Sequence, residues 1–143
     1  MHDMEIVMAS FDQSYPGIHR LQERIINVGR QRGADGGRPY VVTPTGRRLY
    51  GDRGGEYALT NYLIQSHAAE VLKQGICDLS AVGLGEYMIL PIHDEILLDV
   101  PIPIYKDVLQ VLQTTLDNVG KDYFVPLTWG ADVMFNRWGD KYR

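Results

Sequence analysis

Between Met88 and Val100 the chain reads Met-Ile-Leu-Pro-Ile-His-Asp-Glu-Ile-Leu-Leu-Asp-Val, an apolar, strand-forming run broken at its centre by His93-Asp94-Glu95. Such a run is predicted to double back as two short antiparallel strands, which sets Asp94 and Glu95 at or next to the bend. Carboxylates gathered there suit a divalent cation that prefers oxygen ligands. Burying the pair with no such purpose would be costly.

The rest of the chain is organised around a second bend of the same kind. Tyr40-Val-Val-Thr43 and Arg47-Arg-Leu-Tyr50 flank Pro44-Thr-Gly46, a turn signal between two strand-forming runs, so a β-hairpin is predicted over 40–50. Before it, Phe11, Tyr15, Ile18, Leu21, Ile25 and Ile26 recur at spacings of three and four, one apolar face of a helix within 10–35. Tyr15-Pro-Gly17 either breaks that helix or restarts it, because Pro16 is tolerated only in a first turn. Over 56–80, Leu59, Leu63, Ile64, Ala68, Val71, Leu72 and Ile76 mark a long helix whose wide apolar face should be largely buried. A further amphipathic helix is predicted over 104–120, ending near Gly120, and strand material over 124–138.

Helix, hairpin, helix, hairpin, helix, strand is the order of an α+β fold, an antiparallel sheet with helices packed on one face. At 143 residues, with no long linker and no repeat, one domain is expected. A composition 45% hydrophobic and 22% charged argues against disorder. No apolar stretch reaches the roughly 18 residues of a membrane helix, and Met-His-Asp-Met-Glu at the start is not a basic secretory leader. A cytoplasmic protein, with no membrane partner, is therefore expected. The single cysteine, Cys77, rules out an internal disulfide and reads as a small buried hydrophobe of the long helix.

Charge is distributed unevenly. Residues 20–53 carry eight arginines against three carboxylates, whereas 54–143 carry six basic residues against twelve acidic ones. One part is suited to phosphates and the other to metal ions. On the long helix, Asn61 and Gln65 lie four apart and share a face. Amides there can meet the acceptors that every base pair offers in the minor groove, which would check pairing without reading sequence.

Four blocks in order then resemble the C-terminal palm region of family A DNA polymerases, of the DNA polymerase I type. They are Thr43-Pro-Thr-Gly-Arg-Arg-Leu-Tyr50, Asn61-Tyr-Leu-Ile-Gln-Ser-His-Ala-Ala-Glu-Val-Leu-Lys73, Ile92-His-Asp-Glu-Ile-Leu-Leu-Asp-Val-Pro101, and Val125-Pro-Leu127 with Asn136-Arg-Trp138. Tyr15-Pro-Gly17 is similar to the helix that follows the fingers. The resemblance implies a palm-like antiparallel sheet, with Asp94 as the carboxylate of the second palm motif that ligates catalytic Mg2+ or Mn2+ and Glu95 as a weaker contributor. It implies that His93 lies by the primer terminus, that Asn61 and Gln65 contact the minor-groove side of the new pair, and that Thr43, Arg47 and Arg48 touch the primer backbone. Primer-template DNA and, in the assembled enzyme, a dNTP are the implied partners.

Departures from the family pattern are also specific. Tyr57 stands where bacterial members carry an arginine, Ser66-His67 where Gly-Thr is usual, and Glu70 where Asp is usual. The short loop between Tyr50 and Glu56 is closer to phage members, so a phage-encoded chain would act in the host cytoplasm. The family's first palm motif, an aspartate opening an Asp-Tyr-Ser type sequence, is not found, nor is the fingers helix with its arginine and lysine. Two-metal phosphoryl transfer draws carboxylates from more than one segment to hold ions about 3.5–4 Å apart. The resemblance thus implies a C-terminal portion of a split polymerase, inactive alone, whose two-ion site is completed by another chain carrying the remaining motifs. Uncovered apolar area should make the isolated chain self-associate. The alternatives are a non-catalytic nucleic-acid-binding remnant and a structural or assembly protein.

Overall fold

A computed structural model describes residues 2–121 and 127–133, with side chains from residue 4 onward. The chain forms two compact units, Met1–Ala68 and Ala69–Arg143. The boundary between them falls inside α3 (Ala58–Ala81), with no linker.

In the first unit, α1 (His2–Ser14) and α2 (Pro16–Arg32) replace the helix expected over 10–35. Tyr15, at φ −128° and ψ 55°, leaves the helical region, and Pro16 restarts the helix at its first turn, where its missing N–H costs nothing. α1 begins well before residue 10. Its apolar residues Met4, Ile6, Val7, Met8 and Phe11 are all exposed, four of them (Met4, Val7, Met8 and Phe11) at the i, i+3, i+4, i+7 spacing of one helix face.

β1 (Tyr40–Val42) and β2 (Arg48–Tyr50) pair antiparallel, Val41 opposite Leu49. Between them the Gly46 N–H donates to the Thr43 carbonyl at 2.9 Å, with Pro44 at the second turn position. Gly46 has φ 94°, a conformation that costs glycine alone little. Val41 and Leu49 point to one face and join Ile25 of α2 and Leu59 and Leu63 of α3 in a core.

Leu59 is fully buried. A methyl added at Gly51 would sit 3.0 Å from its side chain and one at Gly29 would overlap it, so two glycines clear the space it fills. Truncating such a leucine to alanine costs about 2–5 kcal/mol.

The second unit has its own core of Leu79, Leu84, Val108 and Leu116, with Met88, Ile96, Leu112 and Trp129 packed against it. β3 (Met88–Ile92) and β4 (Glu95–Leu98) pair antiparallel, and α4 (Tyr105–Val119) follows a short 3-10 turn over Ile102–Ile104. The α+β class and the antiparallel pairing hold. Among the described residues the strands pair as two two-stranded antiparallel ribbons.

Two expectations for α3 are corrected. Its face is not largely buried: Ile64 is 58% exposed, and Ala68 is exposed too. Cys77 is exposed because the buried stripe of this stretch runs through Val71, Gly75 and Leu79, and Cys77 lies about half a turn away from it. Of the region expected to be strand over 124–138, residues 127–133 have no regular structure, and the rest of that expectation, with Asn136-Arg-Trp138, lies outside the described residues. Among the described residues no helix is long and apolar enough to cross a membrane.

Glu56 is a buried carboxylate that the sequence patterns did not mark. It accepts the Gly54 N–H at 3.1 Å and lies 3.5 Å from the Arg30 guanidinium. The Gly54 N–H, then its own backbone N–H, hold its pKa below the usual carboxylate range, with Arg30 adding a smaller pull. A depressed carboxylate pKa contributes stability above the unfolded-state value, and that stability is lost as pH falls through the folded value. Replacing Glu56→Gln should therefore lower the denaturation midpoint at pH 7 and flatten its fall between about pH 5 and pH 3. Urea melts across that range check it, and parallel curves for the two proteins would contradict it.

Candidate functional site

The hairpin of the second unit closes at Ile92 opposite Glu95, leaving His93 and Asp94 as a two-residue turn. His93 takes φ 52° and is, among the described residues, the one non-glycine with a positive φ. A two-residue turn with a positive φ at its first central position normally places glycine there. An L-residue in that region costs roughly 1–2 kcal/mol. Strain held at a polar tip is a mark of functional sites.

Three features set the direction of the tip. A bulge between Met88 and Leu90 shifts the register, Pro91 pairs with Ile96 without needing a ladder N–H, and the Asp99 N–H donates to the Tyr87 carbonyl at 2.8 Å beyond the strand ends. Met88 and Ile96 hold the ribbon on the core. Asp94 consequently sits exposed in the turn, and Glu95, half-buried, opens β4.

A cavity of about 730 Å³ opens beside this hairpin, with Asp94, Glu95, Asp99 and Asp132 among its lining residues and Leu112 and Trp129 among its apolar ones. The oxygen donors of Asp94 and Glu95 fit a hard cation such as Mg2+ or Mn2+. Among the described residues, though, no group of three or more His, Cys, Asp or Glu side chains converges to hold a metal. Two adjacent carboxylates alone do not make a metal site.

The first unit holds the remaining expected residues. Thr43 is buried at 3% exposure, and its hydroxyl accepts the Arg47 N–H at 3.1 Å and meets Thr45 Oγ1 at 3.0 Å. It therefore also holds the turn that presents Arg47 and Arg48, both exposed. On α3, Asn61 and Gln65 are exposed on one face. Tyr57, the residue in place of the family arginine, is 75% exposed. Asp94 and Glu95 come together in the second unit, and Thr43, Arg47, Arg48, Asn61 and Gln65 belong to the first.

Sequence reasoning missed an aromatic platform between α2 and the first hairpin. The guanidinium groups of Arg32 and Arg48 lie 5.4 and 5.2 Å from the centre of the Tyr40 ring, and the Tyr50 ring packs against it at 5.5 Å. A hydrogen bond with Tyr50, followed by the influence of Tyr40 and Tyr50, holds the Arg48 pKa above its ordinary value. Tyr40 and Tyr50 are paired in register, which was visible in the hairpin pattern, but Arg32 comes from another element.

This fold is shared with the POL domain of Pol1 from M. smegmatis in complex with DNA primer-template and dNTP. The TM-score is 0.68 at 21% identity, over 82% of this chain and 22% of that one. Residues 2–140 match the model of DNA polymerase family A, and the chain belongs to that family. Similar proteins include the DNA polymerases of Mycobacterium phages D29 and L5, 37% and 36% identical over 95 residues. Drosophila melanogaster DNA polymerase theta is 26% identical over 140 residues. The chain covers 15% of the length of each phage polymerase and 6% of the theta protein, and the aligned parts are 66% and 83% of this chain.

The turn carries its own test. Replacing His93→Gly should raise stability by up to about 1 kcal/mol, because relief of roughly 1–2 kcal/mol of left-handed strain exceeds glycine's added entropy cost of about 0.5–1 kcal/mol. Replacing His93→Val should destabilise. Guanidinium melts read both, and equal stability of the two variants would contradict the strained turn.

Proposed function

We propose that this chain supplies the second carboxylate motif of a polymerase palm and part of its grip on primer-template DNA. The observation that carries the reading is Asp94, exposed at a strained two-residue turn with Glu95 beside it, in a chain of DNA polymerase family A. In the reaction, the primer 3′-hydroxyl oxygen bonds to the α-phosphorus of a dNTP, the bond to pyrophosphate breaks, and the hydroxyl proton is lost. Divalent ions, when bound, neutralise charge on the attacking and leaving oxygens. Asp94 would hold them, with Glu95 in a weaker or indirect role and His93 beside the primer terminus.

The other roles fall to the first unit. Asn61 and Gln65 would donate to minor-groove acceptors of the newly formed pair. Arg47 and Arg48, presented by the Thr43 turn, would contact the primer backbone. The structural neighbour was captured with primer-template and dNTP, which supports the same partners here.

Two carboxylates do not make a two-ion site, so the rest of the ligands come from the remaining polymerase motifs. That completing polypeptide would also cover the apolar face of α1, where Met4, Ile6, Val7 and Met8 are each more than half exposed. Without it, the 143-residue chain should self-associate and be inactive. A second reading, a nucleic-acid-binding remnant without chemistry, draws on the first unit's basic surface, which needs no further motif.

Primer extension separates them. The isolated chain should give no magnesium-dependent extension, and mixing it with a polypeptide carrying the first palm motif and the fingers should. In the mixture, Asp94→Ala should lower the rate by at least about 100-fold, the scale of losing a main electrostatic contributor to a transition state, while co-purification of the two chains persists. Extension by the chain alone, or an unchanged rate in the variant, would refute the proposal.

A further inference from the structure

Five arginines of the first unit fall into two sets. Arg30 faces Glu56, Arg38 bonds Asp52 at 2.9 Å, and Arg53 donates to the Gly37 carbonyl at 3.2 Å, so these three hold loops. Arg32 and Arg48 are different. Both are exposed, both lean on the Tyr40 ring, and among the described residues no carboxylate pairs with either. Two like charges sharing one aromatic ring repel each other, and the ring's quadrupole offsets that only in part.

An anion would restore the balance. We propose that Arg32 and Arg48, held by Tyr40, form a phosphate-binding clamp for the sugar–phosphate backbone of duplex nucleic acid, with Arg32 as a contact outside the family-like motifs and Tyr40 as its positioning residue. Arg48 spends one donor on Tyr50, and the other guanidinium N–H groups of the pair form the fork that matches phosphate oxygens. Stacking also removes much of the side-chain freedom that each arginine would otherwise lose on binding, about 2 kcal/mol of rotamer entropy for a free side chain. The Tyr40–Tyr50 ring pair, 5.5 Å between centres, keeps the platform from turning. Backbone contacts of this kind carry no base preference. The clamp rests on the nucleic-acid reading above and adds to it a residue of α2 and a reason for the aromatic pair.

The test is the salt dependence of binding between the 143-residue chain and a labelled primer-template duplex, read by fluorescence anisotropy. Each phosphate contact adds about 0.9 to the slope of log K against log salt. Replacing Arg32→Ala should lower that slope by about 0.9 and weaken binding about eightfold at 0.1 M salt, equally on duplexes of different sequence. Tyr40→Phe should keep the wild-type affinity, whereas Tyr40→Leu should weaken binding by a comparable factor. Circular dichroism confirms that each variant is folded.

Several outcomes overturn the clamp: no measurable binding by the wild-type chain, an unchanged slope in Arg32→Ala, a lower melting temperature in that variant with no change in slope, or an Arg32 effect on dNTP binding alone in place of duplex. The polymerase reading stands or falls separately, since primer extension by the assembled enzyme and its loss in Asp94→Ala do not depend on Arg32.

Discussion

Each of the two cores is closed by one leucine of α3. Leu59 and Leu79 are the largest fully buried side chains, the first packed with Ile25 and Val41, the second with Leu84, Val108 and Leu116. Every candidate site element is seated on one of these cores. The first presents the Thr43 turn, the Tyr40 platform and the Asn61/Gln65 face, and the second fixes the ribbon that carries Asp94. A 24-residue helix of mixed polarity can serve both because its buried positions are confined to short stretches. Between them, Ile64 and Ala68 stay exposed.

The acidic hairpin follows a different logic, in which direction matters more than burial. A slip of one residue would exchange the two faces of the ribbon. The bulge at the start of β3, the Pro91–Ile96 pair and the two-residue turn together set one register. They leave Asp94 in solvent at the tip. Positive φ at His93 is the local cost of a turn this tight, and the core contacts of Met88 and Ile96 offset it.

Both hairpins were readable because their signals are local: strand-forming runs with Pro44-Thr-Gly46 or His93-Asp94 between them. That Asn61 and Gln65 share a helix face was readable from their spacing. What escaped the sequence depends on partners from elsewhere in the chain. Glu56 matters through a backbone N–H of Gly54, Tyr40 through an arginine eight residues earlier on another element, and Cys77 lies off a buried stripe whose position is set by Leu116 and Val108. The two compact units meet inside a helix, where no linker marks them in the sequence.

The central claim is that Asp94 binds a catalytic metal ion. Its most direct test is single-turnover nucleotide incorporation by the assembled polymerase carrying Asp94→Cys, compared in Mg2+ and Mn2+. A thiolate is a poor ligand for the hard magnesium ion and a better one for manganese. The account predicts a rate lost in Mg2+ and partly restored in Mn2+, beyond any change that Mn2+ causes in the unmodified enzyme. A wild-type rate in Mg2+ would contradict it.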